Sequence, residues 1–149
     1  PIDNNLYENN SNSELANQQS LNGLNVLLVE DNTFNQMVVN KYLNIWKVKI
    51  DILNSGIEVL EKTKSSADYH VILMDLHMPE MNGIEALKAI RNSKNLYWKQ
   101  IPIIAITADA INYDKEKLIN LGFADVIYKP FEPNVLFGKL ALYFNLLIS

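Results

Sequence analysis

The sequence predicts an α/β fold of the flavodoxin-like type: a doubly wound (βα)5 unit whose five parallel strands lie in the order 2-1-3-4-5. Two observations predict it. Short apolar runs alternate five times with segments of helical periodicity, which is the signature of an α/β protein. Most of those runs are continuously apolar, as strands are when helices cover both faces of a parallel sheet.

The five predicted strands are short and are separated by helical segments and turns. They cover residues 26–29, 48–53, 71–74, 101–107 and 124–128, and only the second alternates, in part, between apolar and polar residues. In open parallel sheets, ligands bind at the carboxyl ends of the strands, near the point where the strand order reverses. The residues that follow the strands are therefore the first candidates for a functional site.

Apolar residues that recur every three or four positions predict the two clearest helices. The first helix has a predicted core-facing stripe of Phe34, Met37, Val38, Tyr42 and Ile45. Its outer face, a candidate contact surface, would then carry Asn35, Gln36, Val39 and Asn40. The third helix places Ile84, Leu87 and Ile90 on one face.

Three further helices complete the alternation. Weaker helical segments cover residues 55–64 and 110–121, and the last helix covers residues 133–147. Pro133 fits the first turn of that helix, where a missing N–H leaves no hydrogen bond unmade. The stripe of the last helix comprises Leu136, Leu140, Tyr143 and Leu147.

Composition limits the possible functions. The chain has 149 residues, enough for one domain, and its net charge of −4 provides no basic surface for nucleic acid or an anionic membrane. It has no cysteine, which excludes disulfides, thiolate metal sites and a cysteine nucleophile. No apolar run is long enough to span a bilayer and no signal-peptide pattern opens the chain, so we expect a cytoplasmic domain without direct membrane contact.

The beginning of the chain differs from the rest. Residues 1–23 are rich in Asn, Ser and Gln, which predicts a flexible linker, with a short helix over residues 13–19 as the alternative. The folded domain is predicted to cover residues 24–149. Because the first residue is Pro1, we expect the chain to be a piece of a longer protein.

Five reactive side chains lie at the carboxyl ends of four of the predicted strands, and the fold would bring them into one crevice. They are Glu30, Asp31, Asp75, Thr107 and Lys129. Asp31 or the neighbouring Asn32 would serve equally well as the cap of the first helix. The convergence of all five residues on one edge of the sheet nevertheless predicts a site.

Clustered carboxylates repel one another unless a cation joins them. Mg²⁺ prefers such oxygen ligands and leaves room for a phosphoryl oxygen, and a carboxylate can itself accept a phosphoryl group. Competing chemistries have no support: both histidines, His70 and His77, flank one strand without a serine nucleophile, and no glycine-rich phosphate loop is present.

Four segments resemble the signatures of receiver domains of two-component response regulators. They are VEDNTFNQ at residues 29–36, MDLHMPEMNG at 74–83, ITADA at 106–110 and YKPF at 128–131. The first segment is most similar to receivers attached to hybrid sensor histidine kinases. The resemblance extends over about residues 24–147.

The resemblance implies a role for each residue of the crevice. Asp75 would be the phosphoacceptor, Asp31 a direct Mg²⁺ ligand, and Glu30 a ligand acting mainly through bound water. Thr107 would bind a phosphoryl oxygen and Lys129 would form a salt bridge to the phosphoryl group.

Three further expectations follow from the same resemblance. The backbone carbonyl of His77 would bind the metal, and the Lys129–Pro130 peptide bond would be cis. The side chains of His77 and Asp109 would occupy positions that tune the lifetime of the phosphoryl group. Val126 stands where the family commonly has its aromatic switch residue, and Tyr128 would share a face of the strand with it.

The sequence therefore predicts a receiver that takes a phosphoryl group from a phosphohistidine onto Asp75 in a Mg²⁺-dependent reaction. Its partner would be the dimerisation domain of a histidine kinase or a histidine phosphotransfer protein, and the isolated domain would be a monomer. It would not be a stand-alone enzyme. The alternatives are a pseudo-receiver that binds partners without phosphorylation and a phosphotransferase or phosphatase of similar topology, although His77 replaces the second aspartate expected of the latter.

Overall fold

The computed structural model describes residues 20–149, and the helix considered for residues 13–19 lies outside this range. Five parallel strands form one sheet in the order β2-β1-β3-β4-β5, which confirms the predicted fold class. The strands are β1 (Asn25–Val29), β2 (Lys49–Leu53), β3 (Val71–Asp75), β4 (Ile103–Thr107) and β5 (Asp125–Tyr128). The helices are α1 (Thr33–Ile45), α2 (Gly56–Lys62), α3 (Gly83–Arg91), α4 (Leu96–Gln100), α5 (Lys115–Leu121) and α6 (Pro133–Ile148).

Helices cover both faces of the sheet, and consecutive strand residues belong to opposite cores. In β1, Leu27 contributes to the core beneath α2, α3 and α5, whereas Leu28 contributes to the core beneath α1 and α6. Both leucines are fully buried. Because successive side chains of a strand point to opposite faces, a buried parallel strand needs apolar residues at every position.

Polar residues in the loops after the strands cap α1, α2, α3 and α5, each through a side chain that accepts a backbone N–H of the first turn. The side chain of Asn32 accepts a hydrogen bond from the N–H of Asn35 at 3.0 Å, so Asn32, and not Asp31, caps α1. The cap thereby leaves the Asp31 carboxylate available at the edge of the sheet. Asn82 caps α3 in the same way, through the N–H of Glu85.

Gly83 allows α3 to start close to the end of β3. A Cβ atom at this position would collide with the backbone carbonyl of Asp75 and lie 2.9 Å from the Cα of Leu76. The N–H of Gly83 donates to the carbonyl of Leu76 at 3.1 Å. Only glycine fits this close approach, which fixes the loop after Asp75.

The predicted orientation of α1 was wrong. Phe34 and Met37 are 70% and 64% exposed, whereas Val39 and Leu43 are fully buried. The helix and its C-terminal cap residue carry a second apolar row, Val39, Leu43 and Trp46, and apolar spacing alone does not select between two such rows. A polar anchor is consistent with this rotation: the Gln36 amide donates to the carbonyl of Glu30 at 2.6 Å and to Asn54 Oδ1 at 2.8 Å.

Three smaller differences concern the start of the domain, the start of α5 and one additional helix. Leu21 is buried and its N–H donates to the carbonyl of Trp46, so the packed domain includes part of the predicted linker. α5 begins at Lys115 rather than at residue 110, because Asp114 caps it. The short helix α4 was not predicted, and it buries Trp98 completely.

No helix within residues 20–149 is long and apolar enough to cross a membrane.

Candidate functional site

The carboxyl ends of β1, β3, β4 and β5 bring together the five side chains that the sequence singled out. Glu30 and Asp31 follow β1, Asp75 ends β3, Thr107 ends β4, and Lys129 follows β5. Glu30, Asp75 and Thr107 are the buried polar residues of the described chain, at 1%, 2% and 0% exposure. Asp31 is exposed at the rim.

Three carboxylates form the acidic part of the site. Glu30, Asp31 and Asp75 each place a carboxylate oxygen within 4.8 Å of the other two. Three carboxylates at such distances repel one another, and a cation among them relieves the repulsion. Hard oxygen donors of this kind suit Mg²⁺, which takes one or two carboxylates and keeps several waters. The donor set therefore fits a magnesium ion.

The ammonium group of Lys129 lies beside these carboxylates. Its Nζ is 3.2 Å from Glu30 Oε2 and 3.6 Å from Asp75 Oδ2. The N–H of Lys129 donates to the carbonyl of Thr107 at 2.9 Å, and the Lys129–Pro130 peptide bond is cis. One cation thus partly compensates two buried anions.

Glu30 is held by neighbours that sequence reasoning did not assign to the site. Its Oε1 accepts hydrogen bonds from the N–H of Asn32 at 3.1 Å and from the side chain of Asn35 at 3.3 Å. Burial, and then the charge of Asp75, raise the pKa of Glu30, although Lys129 and these hydrogen bonds oppose the shift. Asn35, predicted to lie on the outer face of α1, instead turns toward the pocket. The sequence contained an indication of this role, because Asn35 belongs to the receiver-like segment VEDNTFNQ at residues 29–36.

Asp75 is oriented by the loop that follows it. The N–H of His77 donates to Asp75 Oδ1 at 3.0 Å, and Oδ2 faces Lys129. The two carboxylate oxygens therefore have different partners, a backbone amide and an ammonium.

Thr107 connects the pocket to the two predicted rate-tuning residues. Its Oγ1 lies 3.1 Å from His77 Nε2 and accepts the N–H of Asp109 at 3.0 Å. The Asp109 carboxylate instead accepts the N–H and the side-chain amide of Asn112, which lower the pKa of Asp109. Asp109 thus contacts Thr107 through its backbone.

Comparison with known proteins adds three findings. The family model described as "Response regulator receiver domain" matches residues 26–141. The chain is 40% identical over 116 residues to "Hybrid signal transduction histidine kinase I" of Dictyostelium discoideum, covering 75% of this chain and 7% of that protein. It is 37% identical over 118 residues to "Autoinducer 2 sensor kinase/phosphatase LuxQ" of Vibrio vulnificus, covering 79% and 13%. The chain thus spans a small fraction of the curated relatives it matches.

Two solved structures, 32% and 33% identical to this chain in sequence, resemble its fold. One is the receiver domain of the sensor histidine kinase PA1611 from Pseudomonas aeruginosa, with a magnesium ion coordinated in the active site cleft. Its TM-score is 0.73 at 32% identity, with 83% of this chain and 98% of that chain covered. The other is the receiver domain of Ssk1 in a co-crystal with the histidine phosphotransfer protein Ypd1 of Saccharomyces cerevisiae, with a TM-score of 0.69, 33% identity and coverage of 80% and 88%.

Proposed function

Because the chain belongs to the response regulator receiver domain family, we propose that Asp75 accepts a phosphoryl group from a phosphohistidine of a partner protein. The observation that carries the proposal is the surroundings of Asp75. The carboxylate is 2% exposed, one oxygen is fixed by the N–H of His77, and the other faces the ammonium of Lys129 at 3.6 Å. A nucleophile must be held in such a fixed orientation toward the group it attacks.

Mg²⁺ is the proposed cofactor. Asp31 and Asp75 would bind it directly, Glu30 mainly through water, and the backbone carbonyl of His77 would add a further ligand. The proximity of three carboxylates supports this assignment. The ion would neutralise charge on the transferred group. The PA1611 receiver, which is similar to this chain, holds magnesium in its active site cleft.

In the proposed transfer, each side chain of the pocket has a separate role. An oxygen of Asp75 forms a bond to phosphorus while the P–N bond to the donor imidazole breaks, and the electron pair of that bond stays on the imidazole nitrogen. Lys129 compensates negative charge that develops on the phosphoryl oxygens. Thr107, which is fully buried at the end of the neighbouring strand, supplies a hydroxyl to a phosphoryl oxygen.

The proposed partner is a helical histidine-containing domain, either a histidine phosphotransfer protein or the dimerisation domain of a histidine kinase. We place its contact surface on the exposed side of α1, which begins just after Asp31. Phe34 and Met37 are large apolar side chains that α1 leaves in solvent there. The similarity to the Ssk1 receiver, crystallised with Ypd1, supports this kind of partner.

The parent protein is proposed to be a cytoplasmic or membrane-bound hybrid histidine kinase, with the receiver in its cytoplasmic part. The support is the similarity to hybrid kinases, of which the chain spans only a small part. The Asn-rich residues 1–19 would connect the receiver to the rest of that protein.

His77 and Asp109 are proposed to tune the lifetime of the phosphoryl group.

The proposal is tested by incubating the protein with acetyl phosphate and measuring its intact mass. The wild type should gain one phosphoryl group in the presence of Mg²⁺ and none in excess chelator. Asp75→Asn should gain none, whereas the control Asp114→Asn, which exchanges one good helix cap for another, should react like the wild type. Labelling of Asp75→Asn would contradict the assignment, and a stably folded wild type without labelling would favour a pseudo-receiver.

A further inference from the structure

The hydroxyl of Thr107 has a partner outside the carboxylate cluster. His77 Nε2, on the loop after β3, lies 3.1 Å from Thr107 Oγ1. Thr107 is fully buried and its oxygen already accepts the N–H of Asp109, so its proton needs an acceptor. Among the described residues, His77 Nε2 is the hydrogen-bond partner of Thr107 Oγ1 that can accept this proton. We therefore assign the tautomer in which Thr107 donates to His77.

The imidazole ring of His77 also contacts an aromatic ring. It makes an edge contact with the ring of Tyr113, with centroids 5.7 Å apart and planes at 66°. Tyr113 lies in the loop between β4 and α5, and its carbonyl accepts the hydroxyl of Tyr128 at 2.9 Å. The position of His77 is thus supported by packing as well as by its bond to Thr107.

The proposed function makes a competing demand on the same proton. Thr107 has one hydroxyl proton, which it donates either to His77 or to a phosphoryl oxygen on Asp75. We propose that His77 is a positioning residue that holds the Thr107 hydroxyl in the unphosphorylated domain and must release it when Asp75 is phosphorylated. The inference rests on the proposed function, since it requires a phosphoryl group on Asp75.

This competition has a consequence for the connection between the pocket and α5. Val126, at the usual place of the aromatic switch, is buried in the core and has no hydroxyl. His77 instead links Thr107 to Tyr113 in the loop before α5, beside the direct contact that the N–H of Asp109 makes with Thr107. Release of His77 would remove one of the two contacts that fix its ring beside Tyr113.

The test uses beryllofluoride, a tetrahedral phosphoryl mimic that binds carboxylates, titrated in the presence of Mg²⁺ and followed by amide NMR. His77→Phe keeps a ring beside Tyr113 but cannot accept a hydrogen bond. We expect its half-saturating concentration to be about 2- to 10-fold lower than that of the wild type, which corresponds to the net worth of one hydrogen bond. His77→Gln, whose amide oxygen can accept from Thr107, should restore a value near that of the wild type.

The decisive control is the same substitution in a Thr107→Ala background. Without the hydroxyl there is no competition, so His77→Phe should leave the half-saturating concentration unchanged there. An equal decrease in both backgrounds, or an unchanged or higher value for His77→Phe alone, would overturn the inference. A wild type that shows no shifts around Asp75 would instead overturn the proposed function, and the inference with it.

Discussion

Lys129 Nζ lies 3.2 Å from Glu30 Oε2, which joins the end of the last strand to the end of the first. The carboxylate of Glu30 is almost fully buried, and the ammonium is partly exposed. Because the same ammonium also faces Asp75, the pocket contains more negative than positive charge until a cation enters. The excess negative charge therefore favours the binding of a cation and costs the domain some stability.

Glu30→Gln should stabilise the metal-free domain at neutral pH, because it removes a carboxylate that the folded state holds less readily in its charged form. Burial raises the pKa of Glu30, so the folded state favours the uncharged form. Protonated Glu30 stabilises the folded state at low pH, and this stability is lost as pH rises through the folded pKa. Gln stays uncharged at every pH, so the variant should not lose stability in this way. Urea unfolding with and without Mg²⁺ measures it, and Mg²⁺ should stabilise the wild type more than the variant. The exposed control Glu61→Gln should change little, and a destabilised Glu30→Gln would contradict the account.

Met37→Glu should slow phosphoryl transfer from a cognate histidine phosphotransfer protein by about 10-fold or more, because a charge replaces an apolar contact. Transfer from acetyl phosphate should be unchanged, since Met37 lies outside the pocket. Leu142→Glu, at an exposed apolar position on α6, is the matched control and should leave both reactions unchanged. Equal slowing of both reactions by Met37→Glu would argue against docking on α1. Val39, which sequence analysis placed on this surface, is unsuitable because it is fully buried.

Lys139→Met should cost about 1 kcal/mol of stability at neutral pH. Lys139 Nζ lies 2.8 Å from Asp125 Oδ2. Partial burial raises the pKa of Asp125, but its bond to Lys139 and further contacts outweigh burial and lower the pKa below 3.8. That stability is present above the unfolded pKa and is lost as pH falls through the folded pKa. The cost in thermal or urea unfolding should therefore shrink below about pH 3.8.

Lys115→Met is the control for this pair. Lys115 Nζ lies 3.5 Å from Asp125 Oδ1 and its side chain is 64% exposed, so its loss should cost less than that of Lys139. Equal costs for the two variants, or a cost for Lys139→Met that grows in acid, would contradict the account.

Lys47→Gly should stabilise the domain by about 0.5–1 kcal/mol, measured by chemical unfolding. Lys47 follows the end of α1 with a φ of 61°, in the left-handed region that favours glycine. Lys41→Gly, an exposed position within α1, should instead destabilise by about 1 kcal/mol. A destabilised Lys47→Gly would show that its side chain contributes more than its backbone costs.

The strands were predictable from the sequence, because continuous apolar runs are typical of a buried parallel sheet. The convergence of Glu30, Asp75 and Lys129 was predictable as well, because such a sheet places the carboxyl ends of its strands at one edge. The rotation of α1 was not, since two apolar rows compete and hydrogen bonds from Gln36 accompany the row that the structure selects. The short helix α4 was not predictable either, because its five residues are too few to show a helical repeat of apolar positions. Its burial of Trp98 depends on tertiary contacts, such as the indole N–H bond to the carbonyl of Ser65.

The most direct test of the central claim identifies the phosphorylated residue in the wild-type domain. After reaction with acetyl phosphate and Mg²⁺, borohydride reduces an acyl phosphate on aspartate to homoserine, and peptide mass spectrometry locates the converted residue. The account predicts conversion at Asp75 alone, with none at Asp31 or Glu30 and none when Mg²⁺ is omitted. Conversion at another carboxylate with Asp75 unmodified would contradict it.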